Sequence, residues 1–156
     1  MLVANMAERR IPFELKGDFD LVTAADRASE ALIVERLQSH FPAHSILGEE
    51  GGQRDGQGEY CWYVDPVDGT TNFAHGFPAY NVTMALEKAG ELVAGVVYDP
   101  TRNEMFAAEK GGGAYLNGHR ITSPGRPGYT KAWSLPDFRA GDGTKTSIFT
   151  FITNWQ

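Results

Sequence analysis

The pattern of hydrophobic and polar positions predicts one helix early in the chain. Residues 24–40 place apolar side chains at helical spacing, so that they form a broad stripe along one face. This stripe consists of Ala28, Leu32, Ile33, Val34 and Leu37. Thr23 stands where an N-cap is expected, Asp26 adds an acid to the first turn, and Pro42 ends the segment.

From residue 44 onward the apolar runs are short and bounded by turn residues, a pattern that predicts strands. The predicted segments are residues 44–50, residues 60–65, a hairpin over 80–100 around Lys88-Ala89-Gly90, and a strand pair over 103–121 that turns at Asn117-Gly118. Residues 44–50 and 60–65 both end on acidic side chains. The expected fold class is α+β, with a helix packed on a mostly antiparallel sheet.

Composition and charge limit the classes of function. With 156 residues, 42% of them hydrophobic, the chain suits one domain with a core rather than a disordered segment. Its formal net charge of −6 disfavours binding to nucleic acid or to an anionic membrane, and we expect neither. A single cysteine excludes an intrachain disulfide, and no apolar run resembles a membrane span or a signal peptide core. We therefore expect a cytoplasmic protein.

The segment DPVDGTT at residues 65–71 is the strongest candidate for chemistry. Pro66 favours an extended residue before it, which predicts that the strand ends at Asp65. Gly69 permits a positive φ, and the two following threonines suit the start of a short helix. Two carboxylates beside a helix start can hold a cation and a phosphate together. The alternative is an Asx-type turn between a strand and a helix.

Two further acidic motifs accompany this segment. Lys16 precedes the pattern D-x-V-T-x-x-D, which runs from Asp20 to Asp26, and Gly48-Glu49-Glu50 ends the first predicted strand. With W-x-x-D-P-V-D-G-T-T-N-F at residues 62–73, these motifs occur in the order typical of one family. The chain resembles the inositol monophosphatase family of metal-dependent phosphatases over residues 14 to about 124.

The resemblance implies Mg²⁺-dependent hydrolysis of a small phosphate monoester, such as inositol monophosphate. The implied metal ligands are the carboxylates of Glu49, Asp65 and Asp68 and the carbonyl oxygen of Val67. The implied catalytic residues are Glu49, Thr70 and Asp26, where Thr70 is oriented by Asp26 to position the attacking water. The implied phosphate-binding amides belong to Gly69, Thr70 and Thr71. The implied supporting residues behind the ligands are Glu50, Asp20 and Lys16.

The end of the chain departs from the family pattern. Residues 1–125 resemble the N-terminal lobe, with its first helix cut short before Ile11, whereas residues 126–156 do not match. Family members carry a C-terminal lobe with a W-D motif that completes the second metal site, and the sequence has no W-D. Back-translation of residues 131–154, read two bases later, permits family-like segments such as Ser-Leu-Val-Ala-Thr-Gly-Phe-Pro. We interpret the tail as the product of a frameshift near residues 125–130.

Three functional hypotheses follow from these motifs. The first is a Mg²⁺-dependent phosphatase acting on a small phosphorylated substrate, although without the C-terminal lobe its activity would be weak or absent. The second is a non-catalytic, metal-binding lobe. The third is a related phosphatase, specific for a nucleotide bisphosphate, fructose bisphosphate or histidinol phosphate. A homodimer is compatible with the full-length family.

Overall fold

The computed structural model describes residues 13–15 and 21–122, and the side chains of residues 24–122. The helices are α1 (Ala24–His40) and α2 (Thr70–Ala74). The strands are β1 (Phe13–Leu15), β2 (Leu21–Thr23), β3 (Ser45–Gly48), β4 (Tyr60–Asp68), β5 (Asn81–Lys88), β6 (Glu91–Asp99), β7 (Glu104–Glu109), β8 (Gly113–Leu116) and β9 (His119–Ile121). Neither described helix is both long and apolar enough to cross a membrane.

A seven-stranded sheet dominates the fold. Its strands follow the order of the sequence from β3 to β9, and each pairs with the next. The pair β3–β4 is parallel, and the remaining pairs are antiparallel. The short strands β1 and β2, which the hydrophobic pattern did not predict, form a separate antiparallel pair. The predicted α+β class with a mostly antiparallel sheet is confirmed.

Two tight turns match their sequence signals. Ala89 and Gly90 join β5 to β6 with φ angles of 50° and 86°. Asn117 and Gly118 join β8 to β9 with φ angles of 50° and 79°. Two successive residues with positive φ are typical of type I′ turns, whose twist matches that of the flanking strands. The hairpin predicted over 80–100 and the predicted turn at Asn117-Gly118 are therefore confirmed. The strand pair predicted over 103–121 is wrong, because that segment forms three strands, with a second turn between β7 and β8 where Gly111 and Gly113 have positive φ.

Two apolar clusters of the described core lie where the helices pack on the first strands of the sheet. One cluster joins α1 to β3 and β4 through Val34, Leu37, Ile46 and Val64. The other lies under α2 and consists of Ala25, Val67, Phe73 and Tyr80. Within it the rings of Phe73 and Tyr80 meet edge to face, with centroids 5.0 Å apart. Helix α1 contributes to both clusters and therefore packs against the C-terminal end of β4.

The predicted apolar stripe of α1 is wrong at one position. Leu32 is 42% exposed, whereas the buried face carries polar side chains beside apolar ones. The buried residues of α1 are Ala25, Asp26, Ser29, Glu30, Val34 and Leu37. Asp26, Ser29 and Glu30 make hydrogen bonds to neighbouring elements, and these contacts determine which face of α1 is buried. The spacing of apolar residues alone does not predict that face correctly.

Strand β4 does not end at Asp65 as predicted. It continues through Pro66 and Val67 to Asp68, and its pairing with β5 becomes irregular over these residues. A proline inside a strand is tolerated where the ladder is interrupted, because its missing N–H is then not needed. This irregular end of β4 supports the candidate site.

Candidate active site

Parallel pairing brings two of the predicted acids to the same end of the sheet. Gly48 of β3 lies opposite Val64 of β4, and both strands run in the same direction. The residue that follows each of these two positions is acidic: Glu49 comes directly after β3, and Asp65 comes next in β4. The amide of Glu49 donates a hydrogen bond to the carbonyl oxygen of Val64 at 3.1 Å, which holds Glu49 in line with the strand.

A bulge in β4 brings Asp68 to the same side as Asp65. Along β4 the chain advances three residues from Asp65 to Asp68, while their partners on β5, Thr83 and Asn81, lie two residues apart. Residues two apart on a strand project from the same face, whereas residues three apart normally project from opposite faces. Because the bulge adds one residue to β4, Asp65 and Asp68 project from the same face of the sheet, which is also the face of Thr83 and Asn81.

A short chain of hydrogen bonds orients Asp68 from β5. The Nδ2 group of Asn81 donates to Oδ2 of Asp68 at 3.0 Å. The hydroxyl of the buried Thr83 donates in turn to Oδ1 of Asn81 at 2.5 Å. Because the hydroxyl satisfies the amide oxygen, the amide group is fixed with its N–H pointing at the carboxylate.

The chain turns sharply after the bulge and enters α2. Gly69 has φ 92° and ψ 35°, the left-handed conformation that the sequence predicted for it. The first residue of α2, Thr70, places its hydroxyl 3.0 Å from Oδ1 of Asp26 and 3.0 Å from the carbonyl oxygen of Val67. The hydroxyl carries one proton and shares it between these two acceptors, which ties α2 to α1 and to β4.

Gly69→Ala is expected to destabilise the fold more than Gly76→Ala, a matched control. Both glycines have positive φ, so alanine costs about 1 kcal/mol at either position. A Cβ at Gly69 would also lie 2.9 Å from the carbonyl oxygen of Ala79, whereas a Cβ at Gly76 would meet no atom within 4 Å. We expect a further loss of ~1–3 kcal/mol for Gly69→Ala, measured by urea unfolding. Equal losses would contradict the close approach of the two backbone segments.

Three polar side chains on the buried face of α1 hold three parts of this region. Asp26, 1% exposed, accepts the hydrogen bond from Thr70. Ser29 donates from its hydroxyl to the carbonyl oxygen of Pro66 at 3.2 Å, within the bulge. The carboxylate of Glu30 accepts hydrogen bonds from two backbone amides of the turn after β3. One helix therefore positions α2, the bulge and the Glu49 turn together.

The carboxylates at the end of β4 repel one another. Burial raises the pKa of Asp65 to about 9, and the nearby carboxylates of Glu49 and Asp68 act in the same direction. Burial also raises the pKa of Asp68, while the hydrogen bond from Asn81 opposes that shift. In the absence of a counter-charge the protein therefore favours a proton on Asp65 near neutral pH.

The donor set fits a divalent cation. The Oδ1 atom of Asp65 is buried and has no hydrogen-bond partner, an unusual state for a carboxylate oxygen. Among the described residues, no group of three or more His, Cys, Asp or Glu side chains is arranged to hold a metal ion. The carboxylates at the end of β4 therefore form a partial donor set. An open set suits Mg²⁺, which binds through one or two carboxylates, retains several waters and shares phosphate oxygens. Glu49, Asp68 and the carbonyl oxygen of Val67 are the nearby oxygens that would join Asp65.

The structure brings most of the predicted site residues into one region. The predicted residues on the elements that meet there are Asp26 on α1, Glu49 and Glu50 after β3, Asp65, Val67 and Asp68 on β4, and Gly69, Thr70 and Thr71 at the start of α2. Thr71 is exposed on α2, and Val67 is buried with its carbonyl oxygen beside Thr70. Lys16 and Asp20 lie outside the described residues, as does the tail over 126–156.

Four residues of this region were not predicted from the sequence. Ser29 and Glu30 follow Asp26 at a spacing of three and four residues, which places all three on one face of a helix, so this polar face could have been predicted from the sequence. Asn81 and Thr83 alternate along β5, as expected for two side chains on one face of a strand. Their partners could not be deduced, because the register of β5 against β4 depends on the bulge.

The fold and the carboxylate cluster define an α+β lobe that presents acidic side chains at the end of a parallel strand pair. The sequence profile described as the inositol monophosphatase family matches residues 3–153. The chain belongs to the inositol monophosphatase family, which confirms the resemblance seen in the three motifs. The match extends into residues 126–153, for which the frameshift interpretation stays a prediction.

Comparison with individual proteins gives the same family. An inositol-1-monophosphatase of Rhizobium meliloti is 44% identical over 137 residues, which are 87% of this chain and 49% of that protein. The extragenic suppressor protein suhB from Bartonella henselae has a similar structure, with a TM-score of 0.76 and 38% identity over 80% of this chain and 49% of its own. The chain thus spans about half the length of the relatives it matches.

A third similar protein was solved with ligands. The structure of an IMPase/NADP phosphatase complexed with Mg²⁺ and phosphate has a TM-score of 0.67 and 28% identity. The similarity covers 78% of this chain and 48% of that protein. The shared fold is the N-terminal lobe that the sequence motifs predicted.

Proposed function

We propose that this chain forms the metal- and phosphate-binding lobe of a Mg²⁺-dependent phosphatase that hydrolyses small phosphate monoesters. The observation that carries the proposal is the buried Oδ1 atom of Asp65, which has no hydrogen-bond partner although the carboxylates of Glu49 and Asp68 are near enough to raise the pKa of Asp65. The IMPase/NADP phosphatase with a similar fold, complexed with Mg²⁺ and phosphate, supports it. Inositol monophosphate is the substrate that the family suggests.

In this proposal each group has a defined task. Glu49, Asp65, Asp68 and the carbonyl oxygen of Val67 hold Mg²⁺. The bound metal supplies a water of lowered pKa and offsets charge on the phosphoryl oxygens.

The tasks of α2 follow from its position. The hydroxyl of Thr70 donates its hydrogen bond to Asp26 and the carbonyl oxygen of Val67, so the lone pairs of the hydroxyl oxygen remain to accept a hydrogen bond from the attacking water. The backbone amides of residues 69–71 lie at the start of α2, where N–H groups have no partner inside the helix. These amides bind the phosphate. Glu50 supports the turn that carries Glu49, and Lys16 and Asp20 are proposed to assist from outside the described residues.

A phosphatase assay of the purified chain with inositol 1-phosphate, with and without Mg²⁺, tests the function. Turnover that requires Mg²⁺ supports an enzyme, and a folded chain that neither binds Mg²⁺ nor turns over substrate contradicts the proposal. A folded chain that binds Mg²⁺ without turnover favours the second candidate, a non-catalytic metal-binding lobe. The coverage of only 49% of the Rhizobium meliloti enzyme is the observation that keeps this candidate.

The substrate requires a separate experiment. A panel of inositol, nucleotide, fructose and histidinol phosphates, assayed on a full-length relative with the same motifs, distinguishes the inositol phosphatase from the related phosphatases. A homodimer, a cytoplasmic location and the absence of nucleic-acid partners stay predictions from the sequence.

A further inference from the structure

Glu30 is a buried carboxylate that the proposed chemistry does not use. It lies on α1 and is 5% exposed. Its Oε2 atom accepts a hydrogen bond from the amide of Glu50 at 2.7 Å, and its Oε1 atom accepts one from the amide of Gly52 at 2.8 Å. Both distances are in the range of charge-assisted bonds, which are stronger than bonds between neutral groups.

The turn after β3 is shaped around this carboxylate. A Cβ at Gly48 would overlap the carboxylate of Glu30, and a Cβ at Gly52 would lie 2.5 Å from its Oε1 atom. Between them Gly51 has φ 92°, a conformation that favours glycine. Glycines therefore stand at two positions where a side chain would collide with Glu30, and the carboxylate fills the space that those side chains would occupy.

The turn carries Glu49, so Glu30 controls the direction of that side chain. The amide of Glu49 is held by the carbonyl oxygen of Val64, and the next amide, that of Glu50, is held by Glu30. Two successive amides fixed by different elements leave the backbone at Glu49 little rotational freedom. The Glu49 side chain therefore leaves a fixed backbone at the end of the parallel strand pair where Asp65 follows Val64.

We propose that Glu30 is a positioning residue of the metal site, which acts by fixing the turn that presents Glu49 beside Asp65. The inference rests on the proposed function, in which Glu49 is a metal ligand. Glu30 itself binds the two amides and touches neither metal nor substrate. Groups that orient metal ligands contribute about 10- to 100-fold to metal affinity.

Glu30→Gln removes one of the two acceptors and changes the volume little, because a carboxamide has a single acceptor oxygen. Its NH₂ group would face a backbone N–H. Val34→Ala is the matched control, since Val34 lies on the same buried face of α1, packs in the apolar cluster with Leu37, Ile46 and Val64, and makes no hydrogen bond to the turn through its side chain. The control destabilises the helix packing and leaves the Glu30 bonds in place.

The measurement is the affinity of the whole chain for Mn²⁺, followed by the electron paramagnetic resonance signal of the free ion. At a temperature where all variants are folded, Glu30→Gln is expected to bind Mn²⁺ about 10- to 100-fold more weakly, while Val34→Ala binds it as the unaltered chain does. In amide hydrogen exchange, the amides of Glu50 and Gly52 should exchange faster in Glu30→Gln while β4 stays protected. A purely structural role for Glu30 would lower Mn²⁺ affinity equally in both variants.

The outcomes separate this inference from the proposed function. If the unaltered chain and Glu30→Gln bind Mn²⁺ equally, the inference about Glu30 is wrong and the metal site stands. If the unaltered folded chain does not bind Mn²⁺, the proposed function fails and the role of Glu30 fails with it. Should Glu30→Gln not fold, Gly52→Ala crowds the same carboxylate without changing its charge, and unchanged affinity in that variant overturns the inference.

Discussion

Replacing Asp65 with asparagine is expected to abolish divalent-cation binding and, at the same time, to stabilise the cation-free protein. Asp65 is buried beside Glu49 and Asp68, and its Oδ1 atom has no partner. An asparagine amide has no charge to desolvate and can donate to a neighbouring carboxylate. The gain is expected to be about 0.5–2 kcal/mol, since binding sites retain groups that cost stability.

Two measurements on Asp65→Asn are needed, one for each direction of change. Thermal unfolding in EDTA should give a higher melting temperature than the unaltered chain, and addition of Mg²⁺ should no longer raise it. Asp55→Asn is the control, because Asp55 is an exposed residue of the loop before β4 and the chemical change is the same. A variant that is still stabilised by Mg²⁺ would rule out Asp65 as a ligand.

Without divalent cations, the free energy of unfolding is expected to fall as the pH rises from about 4 to about 9. Burial and the adjacent carboxylates raise the pKa of Asp65 to about 9 in the folded protein, whereas an unfolded aspartate titrates near 4. Between these values the folded state binds more protons than the unfolded state, so the slope of stability against pH is negative. The contribution of Asp65 is complete below pH 4 and is lost as the pH passes 9.

Mg²⁺ should oppose this loss, since a cation favours the ionised carboxylate. At a concentration of 100 times the dissociation constant, a ligand stabilises the folded state by about 2.7 kcal/mol, and the effect should grow with pH. Urea unfolding at pH 5, 7 and 9, in EDTA and in Mg²⁺, measures both trends. Asp65→Asn serves as the reference, because the difference between the two proteins isolates the titration of Asp65 together with its interaction with Glu49 and Asp68. The same pH slope in both would contradict the assignment.

Elements determined by neighbouring residues were predictable from the sequence. The bounds of α1 matched the predicted helix, and the turns at Gly90 and Gly118 matched their glycine signals. Gly69 adopts the positive φ inferred for the turn after Asp68. In each case the deciding interactions lie within a few residues along the chain, where propensity and turn chemistry act.

Features that depend on distant partners were not predictable in the same way. The extension of β4 past Pro66 requires its irregular pairing with β5, and the short strands β1 and β2 carry too few residues for a period. Leu32 is exposed because Ser29 and Glu30 make polar contacts on the buried face of α1. A prediction from the spacing of apolar residues does not include such contacts. The motifs located the acids, and the pairing of strands determined how they meet.

The bulge in β4 restricts how this segment can change during evolution. Asp65 and Asp68 project from one face only because one extra residue separates them relative to β5. A substitution at Pro66 or Val67 alters packing but keeps that parity. An insertion or deletion of one residue would reverse the face of one aspartate, because side chains alternate along a strand. The length of the segment is therefore fixed even where the two residues between the aspartates are replaced by others that fit the core.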